Sequence, residues 1–248
     1  MQFIQQNPYG LLADKALYHS ALLIRKLEEV LSGKINFDAL ITLSSTDFIA
    51  KNNNGTIKTV GMTYTNGACA LPELEYTSTG YTLTIFKSAL IHDEGGCANV
   101  HAAAHELGHL LGAKHDGTVN QKCNEENGLI MAPILTVNAN SSDWSYCSIH
   151  DIENFLNSQQ SECLFNRPKF GKRISRFLPG KITDVDTQCK YLGNLHATNK
   201  HENICVSLTC LNANGESYVY AGVSDGTSCG ENKICLHKQC VDMDKITY

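Results

Sequence analysis

No stretch of this 248-residue sequence is apolar enough or long enough to cross a bilayer as a helix. Met1 to Gly10 lack the charged and apolar regions of a secretory leader, so a secreted protein of this sequence is expected to be a mature form or a fragment. Positive charge is not in excess. Lys and Arg number 20 against 25 Asp and Glu, and a net charge of -5 gives no general attraction to nucleic acid. No internal repeat and no low-complexity tract occurs, so nothing argues for a repeat array or a disordered polar segment. Arg-Gly-Asp is absent as well, which removes that route to integrin capture.

What is present fits a folded protein. Hydrophobic residues make up 42% and charged residues 18%, enough to build a core, and the length suits one large domain or a medium domain with a small one. Eleven cysteines are many for a cytosolic enzyme. Six of them lie between Cys189 and Cys240, the density of a small domain held by disulfides, so an oxidising, extracellular compartment is expected. The sequons Asn54-Gly55-Thr56 and Asn140-Ser141-Ser142 are compatible with a secretory route.

From Leu11 to Leu31 apolar residues recur at helical spacing (Leu12, Ala16, Leu23, Leu27, Val30, Leu31), with Ser32-Gly33 as the stop. Ala39 to Leu43 is a β-prone run and Lys51 to Gly55 a polar turn. Thr59 to Tyr64 and Tyr81 to Phe86 read as two strands separated by a cysteine-bearing loop. Asn99 is placed to cap a helix from Val100 to Leu111, broken by Gly112, and a further helix follows Ser148 through Ile152 and Phe155 to Ser158. Between Asn166 and Lys181 the chain turns basic and irregular (Arg167, Lys169, Lys172, Arg173, Arg176), the composition of a linker. Such a segment offers a contact for heparin-like polyanions, although a solvated connector is the plainer reading.

The chemistry concentrates in His105-Glu106-Leu107-Gly108-His109-Leu110-Leu111-Gly112-Ala113-Lys114-His115. His105 and His109 stand four apart on a helix, so both imidazoles leave one face about one turn apart, as two ligands of a tetrahedral zinc require. Gly112 lets the backbone turn out of the helix and brings His115 round as a third nitrogen ligand, leaving the fourth position for water and substrate. Glu106, beside the first ligand, is placed to accept a proton from the attacking water, the chemistry of peptide hydrolysis without a covalent intermediate. Met131, in Gly128-Leu129-Ile130-Met131-Ala132-Pro133, can form an apolar floor beneath the histidines; taken alone it would be a core methionine. His101 has no glutamate in the matching register and reads as a surface histidine. His92, His150, His196 and His201 show no ligand-like grouping.

With Asp116 following His115, the motif resembles that of the adamalysin or reprolysin (M12B-type) metzincin metalloproteases, which include the ADAM and ADAMTS enzymes. Asp38 to Leu43 and Gly61 to Tyr64 upstream, and Trp144 to Ser148 and Glu162 to Leu164 downstream, are similar to that family's segments. Leu178-Pro179-Gly180, Asp186 to Cys189, Cys205 to Cys210 and Asp225 to Cys240 resemble the ADAMTS disintegrin-like module, and short secreted proteases of this build also occur in tick saliva. The resemblance implies an α/β (α+β) metzincin domain over residues 1–165, a basic linker over 166–181 and a disulfide-rich disintegrin-like domain over 182–248. It implies the pairs Cys69–Cys163, Cys123–Cys147, Cys189–Cys210, Cys205–Cys235 and Cys229–Cys240, leaving Cys97 over.

Two departures from the family pattern stand out. The strand, helix and second strand that open the family's catalytic domain are missing before Leu11, so that domain is expected to be truncated at its amino end. The amino-terminal acidic ligand of the family's calcium site is missing as well, and Asn166 stands where a Glu or Asp near Cys163 would supply the other half; the cofactor implied is therefore one Zn2+, with Ca2+ left open. The implied function is a secreted zinc metalloendopeptidase acting on extracellular proteins, matrix or haemostatic, with no nucleic acid and no membrane span. The alternative is a protease-like binding protein acting through its carboxy-terminal module. A structural zinc site is disfavoured, because such sites usually take four protein ligands.

Overall fold

The structure, a computed structural model, describes residues 10–30, 37–52, 55–78, 80–93, 95, 99–118, 122–134, 138, 140–166, 177–199 and 201–245. Cys97, the helix stop Ser32-Gly33, Asn54 of the first sequon and linker residues 167–176 lie outside them.

Helix α1 (Ala13–Val30) follows a two-residue strand β1 (Leu11–Leu12), so the helix begins two residues later than its apolar periodicity indicates. Its inward stripe, Ala13, Ala16, Leu17 and Ala21, is buried, whereas Leu23 and Val30 remain exposed. The stripe packs on Phe48 and Leu90, with Met62 and Tyr64 at the margin.

The sheet beneath it has the order β2 (Leu40–Ser44), β8 (Ser88–His92), β5 (Gly61–Thr63). β8 runs parallel to β2 and antiparallel to β5, with Leu90 opposite both Thr42 and Met62. Every residue of β8 is buried. Leu90 faces α1, while Ala89 joins Ala68, Leu110 and Phe155 on the opposite side. A strand covered on both faces has no apolar–polar alternation, and for that reason Ser88–His92 carries no period-two signal in the sequence.

A second sheet pairs β3 (Phe48–Asn52) in parallel with β1 and antiparallel with β4 (Gly55–Thr59). Lys51, Asn52 and Gly55, expected in a turn, therefore belong to its strands. The expected strand from Thr59 to Tyr64 is divided, Thr59 closing β4 and Gly61 opening β5. The β-prone run at Tyr81 falls in β7 (Gly80–Thr84), which pairs with a strand the sequence did not announce, β6 (Glu73–Thr77).

Helix α2 (Val100–Leu110) lies across β5 and β8, and helix α3 (Tyr146–Leu156) packs Phe155 against Leu110. α3 starts earlier than expected. Its cap is Ser145, whose Oγ accepts from the Ser148 N–H at 3.0 Å, so Ser148 is inside the helix rather than ahead of it. Cys69 is bonded to Cys163 and Cys123 to Cys147, tying the segments after β5 and after His115 to the α3 region.

The carboxy-terminal part is built from helix α4 (Val185–Tyr191), the sheet β11 (Ser217–Ala221), β10 (Ser207–Leu211), β9 (His196–Ala197), and the sheet β12 (Ser228–Gly230), β13 (Lys233–Leu236), β14 (Gln239–Asp242). Its core is separate and consists largely of cystine. Cys189–Cys210, Cys205–Cys235 and Cys229–Cys240 pack around Ile204, Leu208 and Val223, the substitution of cross-links for apolar mass that small domains require.

Candidate active site

α2 puts His105 and His109 on one face because they are one turn apart. Asn99 precedes the helix, but its side chain makes no capping hydrogen bond. At the other end the chain leaves by a Schellman closure: Gly112 N–H donates to His109 O and Ala113 N–H to Gly108 O, both at 2.9 Å. Gly112 has φ of 99°, and a Cβ there would lie 2.7 Å from Asn66 Oδ1. Only glycine makes this exit without strain, and the exit delivers His115 to the other two histidines.

The three imidazoles meet through Nε2. His115 Nε2 lies 3.1 Å from Nε2 of His105 and 3.1 Å from Nε2 of His109. The protons of two rings are held elsewhere. His105 Nδ1 donates to Ile130 O and His109 Nδ1 to Ala113 O, each at 2.7 Å, and a carbonyl can only accept. Both Nε2 atoms therefore present lone pairs to a shared centre, an arrangement that repels unless a cation occupies it. Nitrogens about 2.0–2.1 Å from one tetrahedral zinc lie about 3.3–3.4 Å apart, so separations of 3.1 Å need to open by only a few tenths of an ångström to hold it. The donor set fits zinc.

Electrostatics favour the neutral imidazoles. Burial holds the His105 and His115 imidazoles below their ordinary value and lowers His109 to about 4. Burial also pushes the Glu106 carboxyl up to about 8, its charged form being poorly solvated. A bound dication draws such a carboxyl back down by favouring its charge.

Met131 is fully buried against Ala113 and Ile130, with Trp144 and Ala104 alongside. Gly108 makes room for this floor, since a Cβ there would lie 2.7 Å from Met131 Sδ and 2.8 Å from Trp144 Cζ3. Asp116, 1% exposed, ties the turn after His115 in two directions. Its N–H donates to Met131 O at 3.0 Å, and its Oδ1 accepts from Ser145 Oγ at 2.6 Å, at the positive end of α3.

Residues 22–168 match the family described as reprolysin (M12B) family zinc metalloprotease. The chain belongs to that family. Residues 179–241 match the ADAMTS cysteine-rich domain 2, so the module compared above with a disintegrin-like domain carries that description. A protein of Bombyx mori named "A disintegrin and metalloproteinase with thrombospondin motifs like" is 34% identical over 194 residues, covering 74% of this chain and 27% of that protein. "A disintegrin and metalloproteinase with thrombospondin motifs 18" of Homo sapiens is 30% identical over 252 residues, 98% of this chain and 19% of its own length. The rat motifs 7 protein is 33% identical over 211 residues, 82% of this chain and 12% of its own. The chain thus spans about a quarter or less of the curated relatives it matches.

Several residues of this reprolysin site were not singled out beforehand. Ile130 and Ala113 orient two histidines, Ser145 holds Asp116, and Gly61 and Gly108 make space. His101, read as a surface residue, is half-buried, and its Nε2 has no partner among the described residues. Burial, with the charges of His105 and Lys238, lowers it to about 4. His92 is buried too, its Nδ1 2.9 Å from Thr46 O, whereas His150, His196 and His201 are exposed away from the cluster.

Proposed function

We propose that this chain is a secreted zinc metalloendopeptidase in which His105, His109 and His115 hold one zinc through Nε2 and Glu106 is the general base. The observation that carries the reading is the convergence of the three Nε2 atoms with Glu106 buried on the same helix. Zinc bound there supplies the Lewis acidity that peptide hydrolysis needs. The chain's own residues do the remainder. The Ile130 and Ala113 carbonyls fix the tautomers of His105 and His109, Asp116 and Met131 hold the turn carrying His115, and the Glu106 carboxylate takes a proton from the attacking water and returns it to the leaving amine.

In this reading residues 1–165 form the protease domain, 166–181 a basic linker able to contact polyanionic glycans, and 182–248 a module that engages protein substrates. Extracellular matrix or haemostatic proteins such as fibrinogen and fibronectin are the proposed substrates. The density of disulfides supports an extracellular site of action, and no helix among the described residues is long and apolar enough to cross a membrane. The test is digestion of casein, gelatin and fibrinogen with and without a chelator. Chelator-sensitive cleavage at internal bonds is expected; a zinc-loaded protein that cleaves none of them acts as a binder instead.

A further inference from the structure

Gly61 lies on β5 where the strand passes over α2, and a side chain there would collide with Glu106. A Cβ at that position would press on Oε1 and lie 2.8 Å from both Cγ and Cδ. Gly61 is not among the residues with positive φ, so its backbone does not demand glycine; what the missing side chain provides is space.

How each neighbour is held decides which of them gives way. The strand is fastened at Val60 and at Gly61 itself: His92 N–H donates to Val60 O and the Thr59 hydroxyl donates to Gly61 O, each at 2.8 Å. Gly61 is also paired in register with Ile91 of the buried strand β8. The helix is fastened by the Nδ1 hydrogen bonds of His105 and His109. Glu106 reaches the contact on a side chain with three rotatable bonds, so its carboxylate is the group that moves.

We propose that Gly61 is a positioning residue for Glu106: the absent side chain is the slot that fixes where the general-base carboxylate lies relative to the attacking water. The proposal rests on Glu106 being the base, whereas the steric part stands independently and is tested independently.

Thermal unfolding of the metal-free protein is measured for wild type, Gly61→Ala, Glu106→Ala and the double variant. Gly61→Ala is expected to lower Tm by several degrees when Glu106 is present and to leave it unchanged or raised in the Glu106→Ala background. An equal loss in both backgrounds overturns the contact. For the zinc-loaded protein, Gly61→Ala is expected to keep one zinc and a KM within about twofold while kcat on a peptide substrate falls roughly tenfold or more. Glu106→Asp, which shortens the arm by one methylene, is expected to cost less in the Gly61→Ala background than in the wild type. Unchanged kcat in Gly61→Ala, or fully additive losses, overturns the positioning role and leaves the base assignment intact. Turnover surviving in Glu106→Gln sinks the base assignment itself, whatever Gly61 does.

Discussion

Gly112 meets two demands at once, a left-handed backbone and no room for a Cβ beside Asn66. Gly112→Ala is therefore expected to destabilise the fold by about 1–2 kcal/mol and to displace His115, which lowers zinc affinity; denaturant unfolding paired with a zinc titration checks both effects. Ser145→Ala removes the donor to a buried carboxylate and a helix cap together, a loss of about 1–3 kcal/mol in urea unfolding. The three-histidine cluster was legible in the sequence because metal binding constrains residue type and spacing at once. Ile130 and Ala113 were not, because each contributes a backbone carbonyl, which every residue has. Gly61 was silent for a related reason: a glycine kept for space, with ordinary φ, leaves no turn signal around it.

Among the elements, α2 was readable from its histidine spacing and the glycine that ends it, although its cap residue does not cap. β8 was not readable. Its five residues are covered by α1 on one face and the α2 side on the other, which erases the alternation that marks a half-buried strand. The hairpin β6–β7 was half seen, since only its second strand is rich in β-formers. The loop from His115 to α3 is closed by Cys123–Cys147, with a separation of 24 residues. Replacing both cysteines by serine is expected to cost about 3.5 kcal/mol on a chain-entropy estimate. Because that cost lies in the unfolded chain, which holds no zinc, the loss should be equal in the metal-free and the zinc-loaded protein; calorimetry of the two forms tests this.

On the scale of the whole molecule, two unlike solutions to stability share one chain. The reprolysin part has apolar clusters around a sheet, and the carboxy-terminal part has a core of cystines. Removing zinc should accordingly act on the reprolysin part, whereas reduction acts on both parts and hardest on the cystine core. A ligand at 100 times its Kd adds about 2.7 kcal/mol to the state that binds it, so a chelator is expected to lower the melting of the reprolysin part and leave the disulfide-held part in place. Reductant should do most of its damage at the other end, and hydrogen exchange read along the chain distinguishes the two patterns. The measurement that bears most directly on the central claim is metal content together with turnover for wild type, His109→Ala and Glu106→Gln. One zinc with chelator-sensitive cleavage in the wild type, loss of zinc in His109→Ala, and one zinc without turnover in Glu106→Gln is the predicted result. Full zinc in His109→Ala, or wild-type turnover in Glu106→Gln, would contradict it.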